Sequence, residues 1–331
     1  MNSTPRKIGI LGAGGLGRNA VSVLAKKTEF LPVALVDSKG VAYRAEGIRP
    51  ADIEGLPIGE TVAMLAEIGR ETSDPVGEIL KLNKAGALEA VFIGIPNLPN
   101  DNLPRVIERL CDGGFRGVAV DALKRTTAVE AVVALAPKIE ASGMVYVTGA
   151  GATPGLLTAA ANLAAQSFSE VESVDIRFGV GIPSWESYKA TVREDIAHMP
   201  GYNVEAVRAM TDADVESLLD ELDGILRLEG MEHADDILLE RAGVVQAAKV
   251  TVGGIVDTRR ARKPISTHMT LTGVTFEGKR SSHTFTLGDD TSMAANVLGP
   301  AFGWMKAGME LRARGIKGLF SSADLMPKFV R

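Results

Sequence analysis

Gly12, Gly14 and Gly17 form a Gly-x-Gly-x-x-Gly run, Gly12-Ala13-Gly14-Gly15-Leu16-Gly17, directly after the short apolar stretch Lys7 to Leu11. A second apolar run, Leu31 to Val36, ends on Asp37, about twenty residues beyond Gly17. Strand, glycines, helix-forming stretch and acid in this order are the pattern that binds a dinucleotide. Gly12 permits a tight turn, Gly14 lets backbone approach a pyrophosphate, and Gly17 lets a helix pack close to the strand. Backbone N–H groups of Ala13, Gly15 and Leu16 and the helix dipole then face the phosphates. A carboxylate at Asp37 suits the ribose 2′-hydroxyl of NAD, whereas Ser38 and Lys39, which follow at once, suit a 2′-phosphate. The expected cofactor is therefore NADP or NAD.

Lys124 is the second candidate. It follows the apolar run Gly117-Val118-Ala119-Val120-Asp121 and precedes Thr126 and Thr127, either of which suits the cap of the next helix. A lysine in a strand-to-helix turn lies at the carboxyl edge of the sheet, where open α/β sheets bind ligands. Partial desolvation and the neighbouring Arg125 both favour its neutral amine. Such an amine can act as a base, as a proton donor to a carbonyl or as a Schiff-base nucleophile. The turn Pro96-Asn97-Leu98-Pro99-Asn100, after the apolar run Ala90 to Ile95, is expected to touch the cofactor, with Pro96 as its first residue.

Histidines and one arginine complete the set. His233 and His198 lie in polar, loop-like surroundings and are the acid–base candidates, in that order, while His268 and His283 fall in strand-like patterns. Arg193 is a candidate for a substrate carboxylate, which a guanidinium can bind bidentately. No pair of histidines has metal-ligand spacing and Cys111 is the only cysteine, so no metal and no internal disulfide are expected. No Ser–His–Asp or Cys–His arrangement is visible.

These residues need elements to position them. Apolar strands are expected at Lys7–Leu11, Pro32–Val36, Ala90–Ile95, Gly117–Asp121 and Met144–Thr148. Helices are expected at Asn19–Lys27, Val62–Glu71, Asn102–Asp112 and Val129–Ser142. Strands apolar throughout, alternating with amphipathic helices, indicate a doubly covered parallel sheet. Beyond Gly149-Ala150-Gly151-Ala152-Thr153-Pro154-Gly155 the strands lengthen and alternate, at 171–180, 249–257, 266–276 and 281–287, which indicates a mainly antiparallel sheet with one buried face. Residues 291–314 read as a long helix with Pro300 near its middle. The fold class is α/β: a Rossmann doubly wound domain at 1–150, an α+β substrate domain with an open sheet at 151–290, and a C-terminal helix at 291–331 that returns to the first domain.

Composition sets the outer limits. The 331 residues suggest about two domains, and 46% hydrophobic residues supply ample core. A formal net charge of −5 gives no basic surface for nucleic acid. No apolar run reaches the ~18 residues of a membrane span and no signal segment is evident, so a cytoplasmic protein is expected. The open sheet of the second domain is a candidate interface for a homo-oligomer.

Taken together, Gly12 to Gly17, Val118 to Lys124 and Gly151-Ala152-Thr153-Pro154-Gly155 resemble the saccharopine-dehydrogenase-like oxidoreductases. Both domains also resemble the single-turnover (suicide) amino-oxononanoate synthases of biotin synthesis. That resemblance implies that the Lys124 amine condenses with the C7 ketone of 8-amino-7-oxononanoate and that NAD(P)H reduces the imine. Carbon dioxide would then carbamylate the adduct. Reoxidation on the lysine side and hydrolysis would leave Lys124 as allysine. Residue chemistry alone leaves two other readings open, a multi-turnover NAD(P)-dependent amino-acid or imine dehydrogenase and a non-catalytic dinucleotide-binding regulator.

Overall fold

A computed structural model describes residues 4–57, 59–96 and 99–331. The chain divides into two units, one made of residues 1–156 and 294–331 and the other of residues 157–293. In the first unit an eight-stranded sheet is built from β1 (Arg6–Leu11), β2 (Phe30–Val36), β3 (Gly40–Tyr43), β4 (Gly69–Glu71), β5 (Ala90–Ile93), β6 (Val118–Asp121), β7 (Val145–Thr148) and a last strand near the C-terminus, Gly318–Ser321. Its order runs from that last strand through β7, β6, β5, β1, β2 and β3 to β4. From the last strand to β2 all pairs are parallel, and β2–β3 and β3–β4 are antiparallel. Ile8, Ile10, Val33, Phe92, Val118, Val120 and Tyr146 are completely buried, because helices cover both faces of the central strands. The parallel order brings the carboxyl ends of β1, β5, β6 and β7 to one edge.

Two helices depart from the sequence expectation. Residues 62–71 hold only a 3-10 turn, Val62–Met64, followed by β4. Glu67 adopts a left-handed φ of 69°, which a right-handed helix cannot contain. The stretch 129–142 is two helices, Thr126–Ala134 and Ala136–Ser142, divided where Pro137 has no N–H to continue the ladder.

Helix Met293–Ala313 carries the chain back into the first unit. Pro300 sits inside it and removes the bond to the carbonyl of Asn296. Phe302 packs between Phe92 and Phe30, with ring centroids 5.8 and 6.3 Å away. The indole N–H of the buried Trp304 donates to the carbonyl of Leu325.

The second unit contains β8 (Phe168–Gly181), β9 (Ile225–Leu228), β10 (Val250–Asp257), β11 (His268–Thr275) and β12 (Arg280–Thr286), ordered β12-β11-β8-β10-β9. The last strand of the first unit is accordingly β13. Only β8–β10 is parallel. Met269 and Leu271 turn inward while His268, Thr270 and Thr272 are half-exposed, the alternation of a sheet with one covered face. Every residue of the edge strand β12 is exposed.

Candidate active site

The glycine loop links β1 to helix Gly15–Leu24, which begins four residues earlier than the expected Asn19. The Gly12 N–H donates to the Val36 carbonyl at 2.7 Å, tying the loop to β2. Gly12 has a φ of +114°, and a Cβ there would lie 2.3 Å from the Gly94 carbonyl oxygen. At Gly17 a Cβ would lie 1.8 Å from the Gly12 carbonyl oxygen. Gly14 caps the helix without a side chain, and a Cβ on it would meet nothing within 4 Å. The loop is thus closed on its inner side and open at Gly14. The first helical N–H groups have no acceptor within the helix and face outward beside it. These residues fit a dinucleotide pyrophosphate.

Asp37 follows the end of β2, as its spacing implied, and is held there by protein donors. Its Oδ1 accepts from the N–H groups of Lys39 and Gly40, both at 2.8 Å, and from the Thr61 hydroxyl at 2.9 Å. Its Oδ2 accepts from the Val62 N–H at 2.7 Å. The carboxylate therefore organises the β2–β3 turn and anchors it to residues 61–62. Ser38 and Lys39 are exposed on that turn.

Pro96 is exposed beyond β5, and its carbonyl accepts from the Asn102 amide at 3.2 Å. Asn97 and Leu98 of the expected cofactor turn lie outside the described residues. Asn100 accepts a 2.9 Å bond from the Arg125 guanidinium, which joins the loop after β5 to the loop after β6.

Lys124 is half-buried in the loop 122–125. Leu123 and Arg125 on either side are buried. Arg125, with extended backbone, is the residue that caps helix Thr126–Ala134, rather than Thr126 or Thr127, and its carbonyl accepts from the Val129 N–H. The anchor of this loop is Asp121, at the end of β6. Its Oδ1 accepts from the N–H groups of Leu123 (2.7 Å) and Gly149 (3.0 Å), and its Oδ2 from the Tyr146 hydroxyl (2.6 Å). Burial pushes the Asp121 carboxyl above the usual carboxylate range, against the pull of the Tyr146 hydroxyl and the two N–H groups. Burial and then the Asp121 charge hold the Tyr146 hydroxyl well above its usual value. Gly149–Gly155 forms a second glycine turn beside this loop. The Ala150 N–H donates to the Asp121 carbonyl, and a Cβ on Gly151 would lie 3.5 Å from that of Ala122. Sequence reasoning missed Asp121 and Tyr146. The signal was an acid ending an otherwise apolar strand, with one hydroxyl-bearing aromatic in the neighbouring β7, opposite Ala119.

His233 and His198 belong to the second unit. His233 is 3% exposed, and its Nδ1 is 2.8 Å from Oδ2 of the fully buried Asp235. The Thr158 hydroxyl donates to the other oxygen of Asp235. This chain of bonds fixes the ring and leaves Nε2 as its remaining polar atom. His198 is half-buried, with Nδ1 2.8 Å from the Glu194 carbonyl at the end of helix Lys189–Ala197. Arg193 donates to the carbonyls of Val207 and Met210, each at 3.0 Å, and to Asp212 at 2.8 Å. Its guanidinium clasps the end of helix Val204–Ala209. His268 bonds the Ser266 carbonyl, and His283 meets the Phe168 ring edge-on. Among the described residues no group of three or more His, Cys, Asp or Glu could hold a metal, and no helix is long and apolar enough to cross a membrane.

No protein-family model matches the chain. Among solved structures, the DAP dehydrogenase of C. glutamicum in complex with DAP aligns over 98% of this chain and 94% of its own, with a TM-score of 0.54 and 14% identity. An engineered D-amino acid dehydrogenase bound to NADP+ aligns over 97% and 94%, with a TM-score of 0.54 and 14% identity. The saccharopine dehydrogenase of Saccharomyces cerevisiae aligns over 97% and 94%, with a TM-score of 0.53 and 12% identity. At these identities the likeness is one of fold, that of the dinucleotide-binding dehydrogenases. A closer likeness lies in sequence. Over 97% of this chain and 98% of the relative, 42% of residues are identical to the (S)-8-amino-7-oxononanoate synthase BioU of Haloferax mediterranei. With that identity maintained from end to end, the chain belongs to the BioU family of (S)-8-amino-7-oxononanoate synthases.

Proposed function

We propose that this chain is an NAD(P)-dependent, single-turnover enzyme of biotin synthesis. It converts (8S)-8-amino-7-oxononanoate and carbon dioxide to (7R,8S)-8-amino-7-(carboxyamino)nonanoate, with Lys124 as the nitrogen donor. The observation that carries this reading is Lys124 on the loop leaving β6, at the same strand edge as the glycine loop, in a chain of this family. When bound, a nicotinamide dinucleotide supplies a hydride to a C=N bond and later accepts one back.

The Lys124 amine attacks the C7 ketone of the substrate, and loss of water leaves a C=N bond between Nζ and C7. Once that bond is saturated, the nitrogen bridges C7 and the lysine Cε. Carbon dioxide adds to an amine of this adduct. Withdrawal of hydride from the Cε side moves the C=N bond to the lysine, and water then cleaves it. The nitrogen leaves with the product and Cε remains as an aldehyde. Asp121 fixes the backbone of the loop through the Leu123 N–H, so Lys124 starts from a defined position. Buried Leu123 and Arg125 limit water around it. Water must leave in the first step and attack in the last, and both need proton transfer. His233, its ring fixed by Asp235, is the first candidate for that role, and His198 the second.

Incubation with NAD(P)H, bicarbonate and 8-amino-7-oxononanoate, followed by mass spectrometry of the Lys124 peptide, tests the reading. The expected result is a Lys124 aldehyde that hydroxylamine traps, with product no greater than one per chain. Intact Lys124 with product in large excess would instead identify a multi-turnover dehydrogenase. If His233→Ala and His198→Ala both react at the normal rate, the acid–base assignment fails.

A further inference from the structure

We infer that Asp235 sets the tautomer of His233, so that this ring enters the reaction as a base through Nε2. Asp235 is thus a positioning residue, and Thr158 steadies it. This rests on His233 as the acid–base group proposed above, and adds the direction in which the proton first moves. All three residues belong to the second unit.

The segment that carries His233 and Asp235 is pinned on both sides. The Met231 N–H donates to the Val252 carbonyl at 3.0 Å, which ties the approach to His233 to β10. Beyond it, at the start of helix Asp235–Arg241, the Asp236 N–H donates to the His233 carbonyl at 3.2 Å and the Leu238 N–H to the Ala234 carbonyl at 3.0 Å. This turn brings Nδ1 of His233 to 2.8 Å from Oδ2 of Asp235. The other carboxylate oxygen accepts from the hydroxyl of Thr158, on helix Leu156–Ala165. Asp235 and Thr158 are both completely buried, so the carboxylate cannot swing away into water.

A carboxylate only accepts, so Nδ1 carries the proton in the bond to Asp235. In the neutral ring Nε2 then holds the lone pair. Among the described residues Nε2 has no partner, and it is not sealed from the surface. A ring with one nitrogen tied and the other bare can take a proton at Nε2 and return it, whereas the opposite tautomer could only donate first. In the hydrolysis proposed above, water bonds Cε while one of its protons passes to Nε2, and Nε2 hands a proton to the nitrogen. The hydroxyl proton then follows the same route as the Cε–N bond breaks, and the bonding pair leaves with the nitrogen. Imine formation at C7 is the reverse exchange, from nitrogen to oxygen. No electrons pass to or from the protein in either case.

Nitrogen NMR of protein labelled at its four histidines reads the tautomer without turnover. The His233 ring is the set of signals missing from His233→Gln. At the alkaline end of its titration the wild-type ring should carry its proton on Nδ1 and leave Nε2 bare. In Asp235→Ala the proton should move mainly to Nε2, the preference of an unconstrained imidazole. Formation of the Lys124 aldehyde by that variant should slow about a hundredfold, the lower range of an acid–base contribution, with the half-saturating substrate concentration within about twofold of wild type. Thr158→Val loses a buried bond at the same carboxylate but leaves Nδ1 its acceptor, so it should keep the wild-type tautomer and react faster than Asp235→Ala. A wild-type ring protonated at Nε2 would overturn the proposal, whether or not any Asp235 variant folds. An Asp235→Ala protein that keeps the Nδ1 proton or the wild-type rate would overturn it too. So would equal slowing in Thr158→Val with its tautomer intact, because Asp235 would then be only structural. If the wild type shows the expected tautomer but His233→Gln reacts at the normal rate, the acid–base assignment of His233 fails and this proposal falls with it.

Discussion

Replacing Asp121 by alanine should cost the first unit about 3–5 kcal/mol. Three donors lose their acceptor at once: the Leu123 N–H, the Gly149 N–H and the Tyr146 hydroxyl. Each buried group left unmatched costs about 1–3 kcal/mol. Relief of the carboxylate's own desolvation, the cause of its raised pKa, offsets part of that sum. In a unit of this size the melting temperature should fall by about 6–20 °C. Asp121→Asn is the contrasting variant. Its amide oxygen can keep both N–H groups while its NH2 donates to a rotated Tyr146 hydroxyl, so its cost should stay near about 1 kcal/mol. The two proteins should also part with pH. Because the folded Asp121 carboxyl titrates above its ordinary value of 3.8, the folded state holds that proton more tightly than the unfolded chain. The resulting stabilisation is full below that value and is lost as pH rises through the folded pKa. The wild type's margin over Asp121→Asn should therefore be greatest near pH 4 and narrow toward pH 8. Urea unfolding of the three proteins at both pH values measures each quantity. The reasoning fails if Asp121→Ala unfolds within about 1 kcal/mol of the wild type, or if the margin over Asp121→Asn widens with pH.

Gly17→Ala should abolish NADPH binding measured by fluorescence, because its Cβ would lie 1.8 Å from the Gly12 carbonyl oxygen and force the loop apart. Binding of ordinary strength would show that the loop yields. Phe302→Ala should destabilise the protein by about 3–5 kcal/mol in urea, since it empties the space between Phe92 and Phe30. Asp52 is held at about 2, mainly by its hydrogen bond from the Arg49 side chain. Its stabilising share is present above about pH 4 and should be lost toward pH 2. Allowing for the exposure of Arg49, that share is about 1–2 kcal/mol. Asp52→Asn should lack this segment of the acid denaturation curve.

What the sequence made legible followed from how locally each feature is determined. Gly12 and Gly17 could be read because only glycine tolerates the approaches that the structure places there. Strands β1, β2, β5, β6 and β7 were readable because burial on both faces makes them apolar throughout. Strands β3 and β4 are short, and β4 is Gly-Arg-Glu, which no periodicity marks as strand; it is defined by pairing with Gly40–Ala42. The partners of Asp37 were hidden for a related reason. Spacing identifies an acid after β2, but the four donors that occupy it include Thr61 and Val62, which only the folded chain brings near. Asp121 shows the same limit, since Tyr146 and Gly149 belong to the next strand and the turn beyond it. For Arg193 the residue type suggested a ligand, while the carbonyls of Val207 and Met210 that engage it carry no mark in a sequence.

Strand β13 has a consequence for the birth of the protein. It pairs in parallel with β7, yet the whole of the second unit lies between them in the chain. On the ribosome, β1 to β7 emerge first and β7 remains an open edge until the second unit and β13 have been made. Helix Met293–Ala313, whose Phe302 fills the space between Phe92 and Phe30, arrives equally late. The nascent first unit must therefore wait with an unpaired strand and part of its core missing, the condition in which chains associate with one another. Its final step is governed by the rate of synthesis and by whatever shields that edge meanwhile. A slow stretch of translation within residues 157–293 would prolong the exposure.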